Sequence, residues 1–533
     1  MKITTINNLT NFLIIFVLTL FVGYFFMQVY PFEQRAVDAA LVLAKLVDYP
    51  DQISPMSEYF LKSWTSTHQF SKLLLNLNWS FSGVSKLIIF LTAVIYFLGI
   101  VLTIKSASRS TAVAILVALM TLIFQKNFGD TDYPSMIFSE HTYGMLSLAI
   151  VTFIFGLLFA GSLFFVGFFL AILISIHILV GIWINGIIIT SLVLNKYFFK
   201  YPINYSMLIK GFAIGIILTI ISFVYHQILT TDFVSYFSLE AYDNYMKYWE
   251  GHRNETEYHI EYFLKTLVLF GFGTFCLIAL KNNLTENFKF GLICVLTSIF
   301  LSTVFYFSYK IFYPYMPDLI VRTMPARYTI MHSIIGWSLI LGMLFVFIQK
   351  FEKKNKIFNN SAHFLIILII LFYSVSHYKV FIKLQNLFIE NTTMQTTSIE
   401  DKNFWNVIKS TEFDGYIVTS YSTSAISMRK ALKPIILDVT ILDFVPYFPN
   451  TAKSMSVIIE KIYGISFSNP PLEIRNRAFL SDEAIKLSFE KYSREKWQRL
   501  SKNFNLSAII VPVSCDIDLI PYAKSKRFAF YMP

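Results

Sequence analysis

Of the 533 residues, 55% are hydrophobic, 17% aromatic and only 14% charged; a soluble protein of this composition would have too few polar groups to cover its surface. The formal net charge of +11 would suggest nucleic acid in a soluble chain, but here many Lys and Arg border apolar runs, where they orient a membrane protein and meet anionic lipid. Nucleic acid is thus set aside as a partner and anionic membrane lipid is expected, while three cysteines, two in apolar runs and Cys515 alone in the tail, exclude a disulfide framework and paired metal-ligand spacing.

The first apolar run, Thr10 to Tyr30, has the length needed to cross the hydrocarbon and lacks a small-residue cleavage site, so it reads as a retained helix. Further spans are expected near Leu87 to Thr103, Thr111 to Phe124, Thr142 to Ala160, Ser162 to His177, Leu179 to Asn195, Gly211 to Tyr225, Thr266 to Leu280, Phe290 to Phe305, Thr329 to Ile348 and Ala362 to Ser376. The apolar stretch from Ser162 to Asn195 is split at His177; as one long helix it would invert everything downstream. With Met1 in the cytoplasm, Lys105, Arg109, Lys196, Lys200, Lys210, Lys281, Lys289 and the cluster from Lys350 to Lys356 fall inside. The acid-bearing loops and the tail then fall outside.

Between Pro31 and Lys86 the chain is amphipathic, with Ala36, Ala39, Leu41, Leu43, Leu46 and Val47 at roughly helical spacing beside Glu33, Arg35 and Asp38. A collar in the headgroup layer is the structural reading. The functional reading makes Glu33, and after it Asp38, a general base: at the end of the first span it would meet a donor whose phosphate lies among the headgroups.

Asp130 and Asp132, in Gly129-Asp130-Thr131-Asp132-Tyr133-Pro134, are two carboxylates in a turn that suit a divalent cation shared with phosphate oxygens, and His141 is placed to donate to phosphate. A capped turn is the alternative. Arg322 and Arg327, ahead of a span on the outer side, run against the positive-inside tendency; bidentate binding of phosphate explains them, as does headgroup anchoring. His177 and His332 lie in apolar runs without an acidic partner at helical spacing, so they read as bundle hydrogen-bonders.

After Val380 an α/β rhythm appears, with strands at Tyr416 to Thr419, Pro434 to Leu437 and Ala508 to Val511 and a helical run from Asp482 to Phe504 opened by Ser481. No Gly-rich fingerprint, P-loop or nucleophile elbow accompanies it. Ser420 to Ser424 and Asp438 to Tyr447 are loops able to touch an acceptor. The expected fold is an α-helical polytopic membrane bundle of about eleven transmembrane helices over residues 1–380, including the outer loop 31–86. A small extracytoplasmic α/β domain follows over residues 381–533.

An amino-terminal span, an outer amphipathic loop with an early acid, a many-helix bundle and an outer carboxy-terminal domain together resemble the GT-C superfamily of lipid-sugar-dependent glycosyltransferases. Phe32-Glu33-Gln34-Arg35, Tyr133-Pro134, His141-Thr142-Tyr143-Gly144 and His177 to Trp183 look like uncharacterised bacterial polytopic proteins near that superfamily. Its members commonly carry an acidic residue or pair in the first outer loop; here Gln34 follows Glu33, a partial match. The resemblance implies a polyprenyl-phosphate-linked sugar as donor, transfer to an envelope glycan, lipid or protein, and residence in a bacterial inner membrane. A transporter or flippase, and a non-catalytic component of envelope polysaccharide assembly, are the alternatives; no Asp, Glu, Lys or Arg lies within any span as drawn, which weighs against ion coupling.

Overall fold

The computed structural model describes residues 2–30, 35–51, 53–125, 138, 144–230, 236–251, 253, 260–325, 329, 332–352, 361–393 and 399–533. The chain forms two compact units: Met1–Gln34, Ser82–Val224 and Thr256–Thr393 make the first, and Arg35–Phe81, Tyr225–Glu255 and Met394–Pro533 the second. This differs from the division at residue 380 read from hydropathy, because most of the first outer loop and the segment 225–255 group with the tail.

In the first unit, the helices Leu9–Val29, Phe81–Ser108, Ile178–Phe199, Tyr205–Leu229 and Glu286–Phe312 are long and apolar enough to cross a membrane, with Phe81 and the last turn of Tyr205–Leu229 counted in the second unit. Shorter apolar helices span Thr111–Ile123, Met145–Ala160, Leu163–Ile176, Phe263–Ala279 and Ile335–Lys350, and Ala362–Ser376 and Tyr378–Ile389 form a pair bent by 69°. By the length and composition of these helices the chain is an integral membrane protein.

Two features set the packing here. Gly99 and Gly156 let the helices Phe81–Ser108 and Gly144–Ala160 approach backbone to backbone: a Cβ on Gly99 would collide with the main chain of Thr152, and one on Gly156 with the carbonyl of Gly99. Small residues serve this purpose in membranes because lipid provides no hydrophobic drive between helices. The second feature is the break at His177, where the structure divides the apolar stretch as the sequence suggests. His177 is extended (φ −152°, ψ 103°) between the helices Leu163–Ile176 and Ile178–Leu194, and its Nδ1 accepts from the Val180 amide at 3.4 Å. This histidine therefore works as a helix cap.

The second unit is built on a four-stranded sheet in the order β1-β2-β4-β3, with β1 Tyr416–Thr419, β2 Leu506–Pro512, β3 Pro521–Lys524 and β4 Phe528–Tyr531. β1 and β2 are parallel, with Val418 opposite Ile509, and β2 and β4 antiparallel, with Ile510 opposite Phe530. The expected strand at Pro434 to Leu437 is reduced to a bridge between Ile435 and Ile417. Residues Asp482 to Phe504 are two helices, Asp482–Phe489 and Arg494–Phe504, because Ser493 starts the second by accepting from the Lys496 amide at 3.4 Å.

Both early segments are tied into this unit. Ser54 Oγ donates to the Ile436 carbonyl at 2.8 Å, the Tyr416 hydroxyl donates to Asp51 Oδ1 at 2.6 Å, and the ring of Tyr59 stacks on Phe444 at 4.8 Å. From the other segment, Trp249 Nε1 donates to the Phe467 carbonyl at 2.8 Å, and a buried Glu250–Arg253 ion pair places its guanidinium 4.7 Å from the Tyr447 ring.

His68, on the helix Ser66–Asn76, is fully buried, and its Nδ1–H donates to the Ser63 carbonyl at 2.9 Å. Burial, assisted by nearby His226 and opposed by the Ser63 hydrogen bond, pushes its pKa down to about 3. The unfolded chain takes up this proton near the ordinary histidine value of about 6.5 and the folded chain resists it, so stability falls as pH drops through that window, by at most about 1.4 kcal/mol per pH unit. His68→Gln is expected to flatten the dependence of urea unfolding on pH between about 6 and 4 by close to one proton; an unchanged slope would show that His68 is not held neutral.

Candidate functional site

The sequence-predicted site residues divide by location. Glu33, Asp130, Asp132, His141 and Arg327 lie outside the described residues. Arg322 is half-buried in the first unit, at the end of the helix Asp318–Arg322, whose following residue Thr323 accepts from Trp183 Nε1 at 3.0 Å. Asp38 belongs to the second unit, in the first turn of the helix Asp38–Leu43.

The surroundings of Asp38 make up the most developed polar arrangement that the described residues hold around a predicted site residue. Only 2% of Asp38 is exposed. Its Oδ1 accepts from Arg429 Nε at 2.7 Å and its Oδ2 from Arg429 Nη2 at 2.8 Å, the two-pronged match of a planar guanidinium to a carboxylate. The guanidinium also lies 5.3 Å from the Phe81 ring, which shields it on one face.

Local sequence explains how each partner arrives. Asp38 opens a short helix, where a carboxylate is favoured by the unpaired amides, and Ala39, Ala40, Leu41, Val42 and Leu43 behind it are all buried. Arg429 rides on Ser424–Ala431, the helix that follows β1, with Ser424, Ser427, Met428 and Ala431 packed inward.

A second buried acid, Asp438, stands nearby. Its Oδ1 accepts from the Thr440 amide at 3.0 Å and the Thr440 hydroxyl at 2.5 Å. Burial raises the pKa of Asp38 above the usual carboxylate range and the Asp438 charge adds to that rise; Arg429 opposes it most strongly and Arg35 less. Burial also drives the Tyr49 phenol well above its ordinary value, with Tyr416, Asp438 and Asp38 reinforcing it.

Both oxygens of Asp38 are thus committed to one guanidinium in a closed environment. A general base must be within reach of the proton it removes, so a carboxylate this enclosed and paired suits a structural acid that ties the helix Asp38–Leu43 to the helix Ser424–Ala431. Sequence reasoning singled out Asp38 and missed Arg429; Asp438 and Thr440 fell in a loop read as able to touch an acceptor, with no link to Asp38. No local pattern links positions 38 and 429. Among the described residues no cluster of three or more His, Cys, Asp or Glu is arranged to hold a metal, and the Asp130/Asp132 pair proposed for a cation lies outside them.

No family model matches this chain, and no curated protein matches it. Among solved structures it is similar to the crystal structure of ArnT from Cupriavidus metallidurans bound to undecaprenyl phosphate, at 11% identity and a TM-score of 0.48, over 98% of this chain and 97% of that one. Equivalence of individual residues does not extend across so remote a likeness.

Removing one member of a buried ion pair strands the other charge, which typically costs roughly 3–5 kcal/mol. Asp38→Leu and Arg429→Met are each expected to lower stability on that scale in urea unfolding of the full chain. The double variant is expected to lose far less than the two losses added together. Simple additivity would show that the two side chains are not coupled.

Proposed function

We propose that this protein is a membrane glycosyltransferase that moves a sugar from a polyprenyl-phosphate donor to a hydroxyl of an envelope glycan, lipid or protein. The observation that supports it most is the short junction between the first span and the second unit. The apolar helix ends at Val29 and the next unit opens at Arg35, with Asp38 fixed by Arg429 a few residues on. Glu33 is four residues beyond the span, within roughly 14 Å of its end even if fully extended. A carboxylate tethered by so short a length of chain to the end of an apolar span is in reach of a lipid phosphate at headgroup level.

In this reading Glu33 is the base. It takes the proton from the acceptor hydroxyl as that oxygen bonds to the anomeric carbon, and the bond from that carbon to the phosphate oxygen breaks, the electron pair leaving with the lipid phosphate. Arg322, Arg327 and His141 bind the phosphate and stabilise its growing charge. Asp130 and Asp132 are the donors proposed for a divalent cation, which when bound would neutralise phosphate charge. Asp38 holds the base-bearing segment through Arg429. About eleven crossings, an inner-membrane location, a cytoplasmic amino terminus and an outer tail complete the proposal.

The test is transfer of labelled sugar from a panel of polyprenyl-phosphate donors by the full chain reconstituted in lipid. Glu33→Gln is expected to lower the rate by about 10²–10⁴, the usual contribution of general base catalysis. Wild-type rates in that variant would remove Glu33 as the base, and no transfer from any donor would defeat the transferase assignment. A reporter active only outside the cytosol, fused after Pro533, is expected to be active.

A further inference from the structure

The sheet of the second unit contains a reversal in the direction of its connections. After β1 the chain first returns along one edge of that strand, through the Ile435 bridge, and later along its other edge as β2. The loops that leave the carboxyl ends of β1 and β2 therefore diverge. In open α/β sheets, the crevice at such a reversal is where small ligands are bound.

A cavity of about 200 Å³ occupies this place. Ser420, the residue after β1, forms one wall; Pro512, Ser514 and Cys515, at and beyond the end of β2, form another; and the opening turns of the helix Asp482–Phe489 close the third side. Its polar walls are braced. Asp482 accepts from the Ser422 amide at 3.2 Å, which joins the helix to the loop after β1, and Lys486 lies 3.6 Å from Glu490, whose other contact is the Asp516 amide at 3.0 Å.

The lining decides the class of ligand. Asp482 and Glu483 set two carboxylates against the single ammonium of Lys486, so the crevice repels phosphates and nucleotides. A neutral polyol suits it: its hydroxyls donate to the carboxylates and accept from Lys486 and the serines, while Ile485 and Pro512 give an apolar surface for the C–H face of a ring. The volume is below the roughly 300–1,000 Å³ that accommodates drug-sized ligands, which restricts the occupant to a single ring.

We propose that this crevice binds one neutral monosaccharide unit, the end of the glycan acceptor. The acceptor role rests on the transferase reading above; binding of the sugar does not. The test is saturation-transfer NMR on the full chain in lipid nanodiscs, with glucose, galactose, mannose and N-acetylglucosamine as probes. At least one is expected to bind, and Glu483→Gln and Ser514→Trp, both at exposed positions that tolerate substitution, are expected to weaken it at least tenfold, with Glu33→Gln binding as wild type. Failure of every sugar to bind wild-type protein, or undiminished binding in both variants, overturns the proposal. Sugar binding without transfer from any donor retains the crevice and removes the transferase reading; transfer without sugar binding does the reverse.

Discussion

The second unit depends on charges that are expensive to bury and therefore cannot be left alone. Asp38 and Arg429 are 3% and 5% exposed at their side chains, and each is tolerable only because the other fills its hydrogen-bonding directions. The Glu250–Arg253 pair, 2% exposed on both sides, does the same for the segment 225–255. Apolar contacts alone would let these early segments slide, because one buried aliphatic surface is much like another. A bidentate pair admits a single registry. That is how a chain whose tail begins near residue 394 fixes a residue only nine positions beyond its first span.

What the sequence made legible follows from how locally each feature is encoded. β1 and β2 are continuous apolar runs, Tyr416 to Thr419 and Ala508 to Val511, and strands buried on both faces read that way. The break at His177 was visible as the one histidine in a long apolar stretch whose other polar residues are Ser, Thr and Asn. By contrast, Pro434 has no amide to donate, so the apolar run behind it pairs as a bridge only. The alternating half-exposed β3 and the four-residue β4 are too short to show any period. The first outer loop is the instructive case: Ala36, Ala39, Leu41, Leu43, Leu46 and Val47 read as an apolar surface for the headgroup layer, and all of them except the exposed Leu46 are instead buried. Hydrophobic spacing tells which side of a helix is covered and says nothing of what covers it; the cover here includes a helix from the far end of the chain.

The apolar helices satisfy their polar side chains in a different manner. Thr92, Thr103, Thr121, Thr152 and Ser191 each donate to the carbonyl four residues earlier in their own helix, at 2.7–3.0 Å. Each of these hydroxyls spends its one proton inside its own helix, whereas Thr219 and Ser298 spend theirs on other segments, donating to the carbonyls of Ala171 at 2.9 Å and Thr329 at 2.5 Å. With glycines bringing neighbouring backbones into contact, these segments are built as a rigid support.

The helix Ser424–Ala431 connects the two polar features of the second unit. The loop that precedes it begins with Ser420, a wall of the crevice, and its last turn carries Arg429, the partner of Asp38. Eight residues of helix are about 12 Å long, and the element is stiff, with Thr423 Oγ1 anchoring its start by donating to the Ile510 carbonyl at 2.7 Å. Ser420 and Arg429 thus stand at the two ends of one short rod, and the far end holds Asp38. The crevice wall and the buried Asp38–Arg429 pair therefore belong to one stiff element of the second unit.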